Sequence, residues 1–192
     1  MSWIPPFQIG LWNAWILMLY FPLHPLIMIV VDKAVGTGGV FKKMGDVPYE
    51  KGEKRAFVIS MVTLLLLLVY SVFLPLKLGT VWFNAGLTTY LVGLVMFLTA
   101  VVNIVTTPPD QPFTKGMYRY SRHPMLFSGF ITYVGVSVAS ASWAFFLLSI
   151  VAQALLASQA IAEERGCLAT YGDEYREYLN RTPRWIGMPK SS

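Results

Sequence analysis

Charge is scarce in this sequence. Asp, Glu, Lys and Arg make up 13% of its 192 residues against 55% hydrophobic ones, which excludes a soluble globular domain, where roughly a quarter of the residues are charged. Cysteine is nearly absent as well, and the single Cys167 excludes an internal disulfide while saying little about compartment. The N-terminus lacks the basic start and small-residue cleavage site of a secretory signal, so the first apolar segment is expected to be retained. The "GTGG" stretch at Gly36 to Gly39 has no preceding strand and no following Gly-Lys-Ser/Thr, which excludes a phosphate loop. Without internal repeats, low-complexity segments or long linkers, residues 1–192 are expected to form one domain.

What is present is a series of long apolar runs. Residues 57–76 and 81–105 carry no charge at all, and at about 1.5 Å per helical residue each crosses a hydrocarbon core of about 30 Å. Residues 7–31 and 143–162 are two more such runs. Residues 124–140 are short for a span, and count as one because the flanking charges otherwise fall on the wrong sides. The expected fold is therefore all-α: a polytopic membrane helix bundle of five transmembrane helices at 7–31, 57–76, 81–105, 124–140 and 143–162. Helices four and five are expected to form a tight hairpin around Ala141, with a folded cytoplasmic C-terminal tail at 163–192.

The basic residues orient this bundle. Of the 15 Lys and Arg residues all but Lys77 fall in the first connection, the third connection or the tail. By the positive-inside rule the N-terminus lies outside and the C-terminus in the cytoplasm. Trp3, Trp82 and Trp143 fall at the outer boundary, where an aromatic belt belongs. The net charge of +5 sits on loops beside a bilayer, so anionic membrane lipid rather than nucleic acid is the expected neighbour. Oligomeric state stays open, although Gly86, Gly93, Ala154, Ala157 and Ser158 suit close helix packing.

Chemistry is expected at the cytoplasmic end, where the connections are long. Leu168 and Tyr171, then Gly172 as a C-cap and Asp173 as an N-cap, predict a break followed by a short amphipathic helix that carries Tyr175, Tyr178 and Leu179 and stops at Pro183. In "YRYSRHPMLF", Pro124 suits the first turn of helix four. The amides of Met125, Leu126 and Phe127 then stand at the positive end of a helix beside Arg122 and His123, a place suited to an anionic group. The hairpin returns Glu163 and Glu164 next to it. A ligand bearing both charges, such as S-adenosylmethionine, suits that pairing. An interfacial helix start and a solvated helix end account for the same residues, and spacing alone does not decide between them. His24, between Pro22 and Pro25, is expected to satisfy a backbone carbonyl freed by proline, and Asn103 either lines a cavity or bonds a neighbouring helix. No metal site is expected.

"GMYRYSRHPM" followed by "AEERGCLATYGDEYREYLNRTPRWI" resembles the C-terminal signature of the isoprenylcysteine carboxyl methyltransferase and phospholipid methyltransferase family of integral membrane enzymes. The residues that carry the resemblance are Gly116, Tyr118, Arg122, His123, Pro124, Glu163, Glu164, Tyr171, Gly172, Tyr175, Tyr178, Arg181, Pro183 and Arg184. Leu126 and Ser128 stand where family members commonly have Tyr and Gly. The resemblance implies an S-adenosylmethionine-dependent methyltransferase acting on a lipid or small apolar acceptor: a phospholipid amine, a prenylcysteine carboxylate or a thiol. It further implies a cofactor site made by Tyr118, Arg122, His123, Pro124, Met125, Leu126, Glu163 and Glu164, open sideways to lipid, with Glu164 as proton acceptor or cofactor ligand. Arg181 and Arg184 are candidates to hold an acidic headgroup or carboxylate, or to bind anionic lipid beside Trp185. Membrane sterol reductases, which use NADPH, carry a similar signature, and a non-catalytic membrane subunit that keeps the fold is a third reading.

Overall fold

A computed structural model describes residues 2–3, 7–36, 38–108 and 110–190, the side chain of Lys43 excepted. Thr37 of the Gly-rich stretch, Pro109 of the third connection, and Ser191 and Ser192 at the end of the tail lie outside the described residues. The helices are α1 (Trp15–Met18), α2 (Tyr20–Val35), α3 (Val40–Met44), α4 (Lys51–Val72), α5 (Val81–Thr106), α6 (Pro124–Ala139) and α7 (Trp143–Arg181), with a 3-10 turn at Gly116–Arg119. Among the described residues there is no strand, only isolated bridges between Ser2 and Ser142 and between Asn13 and Pro75. Four helices are long and apolar enough to cross a membrane: α1 with α2 as Trp15–Val35, then α4, α5 and α7. The apolar α6 is shorter, at 16 residues. Large apolar side chains such as Leu65, Leu66, Val69, Val92 and Val95 point outward, as on a helical bundle whose solvent is lipid.

The first two helices differ from expectation at their ends. Residues 7–14 are not helical: Gln8 N donates to Phe73 O and Ala14 N to Leu74 O, while the buried Asn13 amide donates to Gln8 O and to Val72 O. This segment closes the end of α4 and meets its own backbone needs there. α4 itself spans Lys51–Val72 rather than 57–76. It begins early because Glu50 and Glu53 form a capping box, and it ends early because Leu74 precedes Pro75 and is steered out of the helical region. His24 behaves as expected: its Nδ1 donates to Phe21 O at 2.7 Å, the carbonyl that Pro25, lacking an N–H, leaves unpaired.

α5 and α6 make the closest helix contact in the bundle. A Cβ at Gly86 would collide with the backbone N of Ala139, one at Gly93 would lie 2.8 Å from Thr132 N, and one at Gly135 2.5 Å from Tyr90 N. Gly86 and Gly93 are thus used inside the chain. Ser60 Oγ donates to Ala152 O and ties α4 to α7, and Tyr90 OH donates to Leu17 O and ties α5 to α1.

Ser2 pairs with Ala141 and Trp143, and the Trp3 and Trp143 rings lie 6.4 Å apart. One end of the bundle therefore holds the N-terminal segment, the 73–80 turn and residues 140–142, while the other gathers the long connections and the tail. α7 runs without interruption past residue 162, where its apolar stretch ends, as far as Gly172. There the backbone (φ 56°, ψ −126°) leaves the helical region before helix resumes to Arg181. The expected break is present, but residues 163–171 are helix rather than the start of a separate tail.

Candidate active site

The site is built where three segments meet: the chain entering α6, the polar continuation of α7, and the tail. Asn103, late in α5, accepts Met117 N at its Oδ1 at 2.9 Å. Gly116 sits at φ 58°, where a Cβ would collide with the Asn103 amide. Only glycine fits both the close approach and the left-handed backbone, and the turn it opens aims the chain at α6. Tyr178 OH, from the last turns of α7, donates to Tyr118 O at 2.7 Å. Ser121 Oγ then accepts His123 N at 3.1 Å, and Pro124 begins α6.

His123 is buried and bridges the two carboxylates. Its Nδ1 donates to Glu163 Oε2 and its Nε2 to Glu164 Oε1, each at 3.1 Å. Both ring nitrogens face acceptors, so the ring is held as the imidazolium, the only form with two donors. Glu164, also buried, takes two more cations. Arg122 Nη1 donates to Oε1 at 2.7 Å, and Arg184 grips both oxygens, Nε to Oε1 at 3.0 Å and Nη2 to Oε2 at 2.8 Å. Gln159, one turn before Glu163, donates to Glu163 Oε1 at 2.7 Å. Arg122 Nε donates to Thr182 O at 2.8 Å, which fixes the tail against the entry to α6. One residue after the pair, Arg165 bonds Glu53 and Pro48 O and clasps the start of α4 to α7.

Arg122, His123, Glu163, Glu164 and Arg184 are thus together. Pro124 is buried at the first position of α6, with Met125 and Leu126 half-buried behind it, and Tyr118 contributes its carbonyl. Arg181 lies apart: its guanidinium is 3.6 Å from the exposed Glu177 carboxylate. Sequence reasoning missed Gln159, although its spacing of four from Glu163 is a visible helical pair. It also missed the Arg165 clasp, which links positions more than a hundred residues apart and leaves no local signal.

Beside the cluster an open groove of about 380 Å³ runs between α6 and α7, lined by Phe127, Phe130, Ile150, Ala154, Ala157 and Trp185. The Trp185 ring stands 6.2 Å from that of His123, so the groove adjoins the cluster. Ala154 and Ala157, with their small side chains, leave the space.

Burial disfavours the His123 imidazolium, yet the hydrogen bonds and charges of Glu163 and Glu164 outweigh it and raise its pKa above the usual value. A raised folded value means that stability is fully present below the unfolded pKa of about 6.5 and is lost as pH rises through the folded value. The melting temperature of the purified protein is expected to fall as the pH rises above about 6.5. In His123→Gln that slope should flatten, and an unchanged slope would show that His123 does not carry it.

A helical bundle with four membrane-length apolar helices among the described residues, a charged cluster at one end and an apolar groove beside it defines a class: an integral membrane protein. A phospholipid methyltransferase family model matches residues 76–174, just over half of the chain. The chain belongs to the phospholipid methyltransferase family, whose members are integral membrane methyltransferases acting on lipids. The match takes in α5, α6 and most of α7, with Arg122, His123, Glu163 and Glu164, and ends before Arg181 and Arg184. No curated protein matches the chain.

Proposed function

We propose that this protein is an S-adenosylmethionine-dependent methyltransferase that modifies a lipid or other apolar acceptor at the cytoplasmic membrane face. The chain is read as a single domain with its N-terminus outside and C-terminus in the cytoplasm, α6 serving as a fifth span in a hairpin with α7. The observation that carries the reading is the Arg122, His123, Glu163, Glu164 and Arg184 cluster lying directly beside the apolar groove.

The donor set fits the cofactor chemically. Glu163, bonded only by His123 and Gln159 among the described residues, suits an ammonium, and the first turn of α6, from Pro124 through Met125 and Leu126, suits a carboxylate, with Arg122 and His123 adding positive charge beside it while their hydrogen bonds go to Glu163, Glu164 and Thr182. Tyr118 contributes through its backbone, which Tyr178 holds. Bound there, S-adenosylmethionine supplies an electrophilic methyl on a sulfonium leaving group. The protein's task is then alignment and exclusion of water. Arg122 and His123 orient Glu164, Gln159 orients Glu163, and Trp185 lines the groove where it meets the cluster. The oxygens of Glu164 are committed to three cations, which favours an electrostatic role over proton abstraction. Arg184, with its side chain 40% exposed, is the partner most able to turn from Glu164 toward an acceptor headgroup.

The test is equilibrium binding of S-adenosylmethionine and of NADPH to the detergent-purified protein, beside Glu164→Gln and His123→Ala. Binding of S-adenosylmethionine that both substitutions weaken is the expected result. NADPH binding in its place would make the protein a reductase, and binding of neither would leave the cluster a structural clasp. The groove has its own test. Ala157→Phe is expected to raise KM for a long-chain lipid acceptor about tenfold, roughly the 1.4 kcal/mol of a few lost apolar contacts, with cofactor affinity unchanged. Equal loss for short and long chains would count against the groove as the acyl site.

A further inference from the structure

Beyond the carboxylate cluster, the chain leaving α7 folds into a closed loop. Lys190 N donates to Arg181 O at 2.9 Å, Arg122 N to Pro183 O at 3.1 Å and Gly187 N to Tyr120 O at 3.0 Å. These bonds frame a second cavity of about 220 Å³, lined by Arg122, Arg181 and Lys190 with Thr182, Leu179 and Met188. Three cationic residues drawn from two separate segments line one small space, and neighbouring carboxylates neutralise only part of their charge. Glu164 takes Arg122 at 2.7 Å, exposed Glu177 holds Arg181 loosely at 3.6 Å, and the Lys190 ammonium has no partner among the described residues.

We propose that this cavity is a binding site for a phosphate group, borne by a lipid headgroup or free in solution. The inference does not depend on the methyl-transfer reading. A guanidinium fork and an ammonium, here those of Arg181 and Lys190, are donors that recognise a phosphate, and Arg122, whose Nε and Nη1 are bonded to Thr182 O and Glu164, adds positive charge beside them. Leu179 and Met188 form an apolar wall beside them, suited to the ester side of a phosphodiester. The position is right for a headgroup, since the loop lies at the membrane end that gathers the basic connections. Arg122 belongs to both sites, so an occupant here bears on the guanidinium that holds Glu164.

The experiment is calorimetric titration of inorganic phosphate and, separately, of dihexanoyl phosphatidylglycerol into the detergent-purified full chain at constant ionic strength. Saturable binding is expected. Lys190→Gln and Arg181→Gln, both at exposed positions, should each weaken it about tenfold, the worth of one charge-assisted hydrogen bond. If the lipid binds more tightly than inorganic phosphate, the natural ligand is a headgroup; the reverse order assigns the site to free phosphate. Absence of saturable binding by either probe, or binding that both substitutions leave unchanged, overturns the proposal. The cations would then serve only the carbonyl end of α7.

Discussion

Glu164→Gln is expected to weaken S-adenosylmethionine binding strongly and to cost the protein about 3–5 kcal/mol of stability, the range for breaking a buried ion pair by removing one partner. The amide keeps the shape of the side chain but removes the charge that Arg122, His123 and Arg184 share. Arg122 and His123 are well buried there, with side-chain exposures of 16% and 4%, and cannot regain water without moving the entry to α6. His123 keeps Glu163 alone, so its imidazolium loses half its support. Arg184→Gln should behave differently, because Arg184 is partly solvated and screened and its loss leaves Glu164 with two cations: under about 1 kcal/mol is expected. Thermal unfolding of the two variants side by side checks this. Equal small losses would mean that the cluster is not the electrostatic centre of this end of the protein.

Gly86→Leu is expected to prevent α5 and α6 from docking. The first added carbon would meet the Ala139 backbone, which cannot swing aside as a side chain does. Overpacking of this kind costs about 1–3 kcal/mol where a side chain can yield, and more is expected where the obstacle is a helix backbone. Function should fail with stability, since α6 carries His123 at its start. Gly52→Ala supplies the contrast. Nothing lies within 4 Å of its added carbon, and alanine should hold or gain up to about 1 kcal/mol in a helix. Melting temperature and protease resistance in detergent distinguish the two, and a well-folded Gly86→Leu would show that the helices have room to separate.

Much of the site was legible because its parts are local. Arg122, His123 and Pro124 are consecutive, as are Glu163 and Glu164, and a short return at Ala141 brings the two groups to one end of the bundle. The distinction between Arg181 and Arg184 was not legible. They are three residues apart, and the chain turns at Pro183, so one grips Glu164 while the other lies by Glu177 and lines the second cavity; the turn is held by the bonds of Arg122 to Thr182 O and Pro183 O. Sequence spacing does not contain it.

By itself the sequence determined the apolar helices, the gathering of charge at one end, the break at Gly172 and the meeting of a cationic with an acidic pair. These follow from composition, helical periodicity and short connections, which act over a few residues. Only the tertiary structure decided that residues 7–14 close the end of α4, that α7 carries Glu163 and Glu164 in mid-helix, and that Gly86, Gly93 and Gly135 press α5 onto α6. It alone placed Gln159, Arg165 and Arg184 on their partners and left Ala154 and Ala157 facing an open groove. Those outcomes depend on which surfaces meet, and a backbone hydrogen bond or a missing Cβ acquires its meaning only from the atom on the other side.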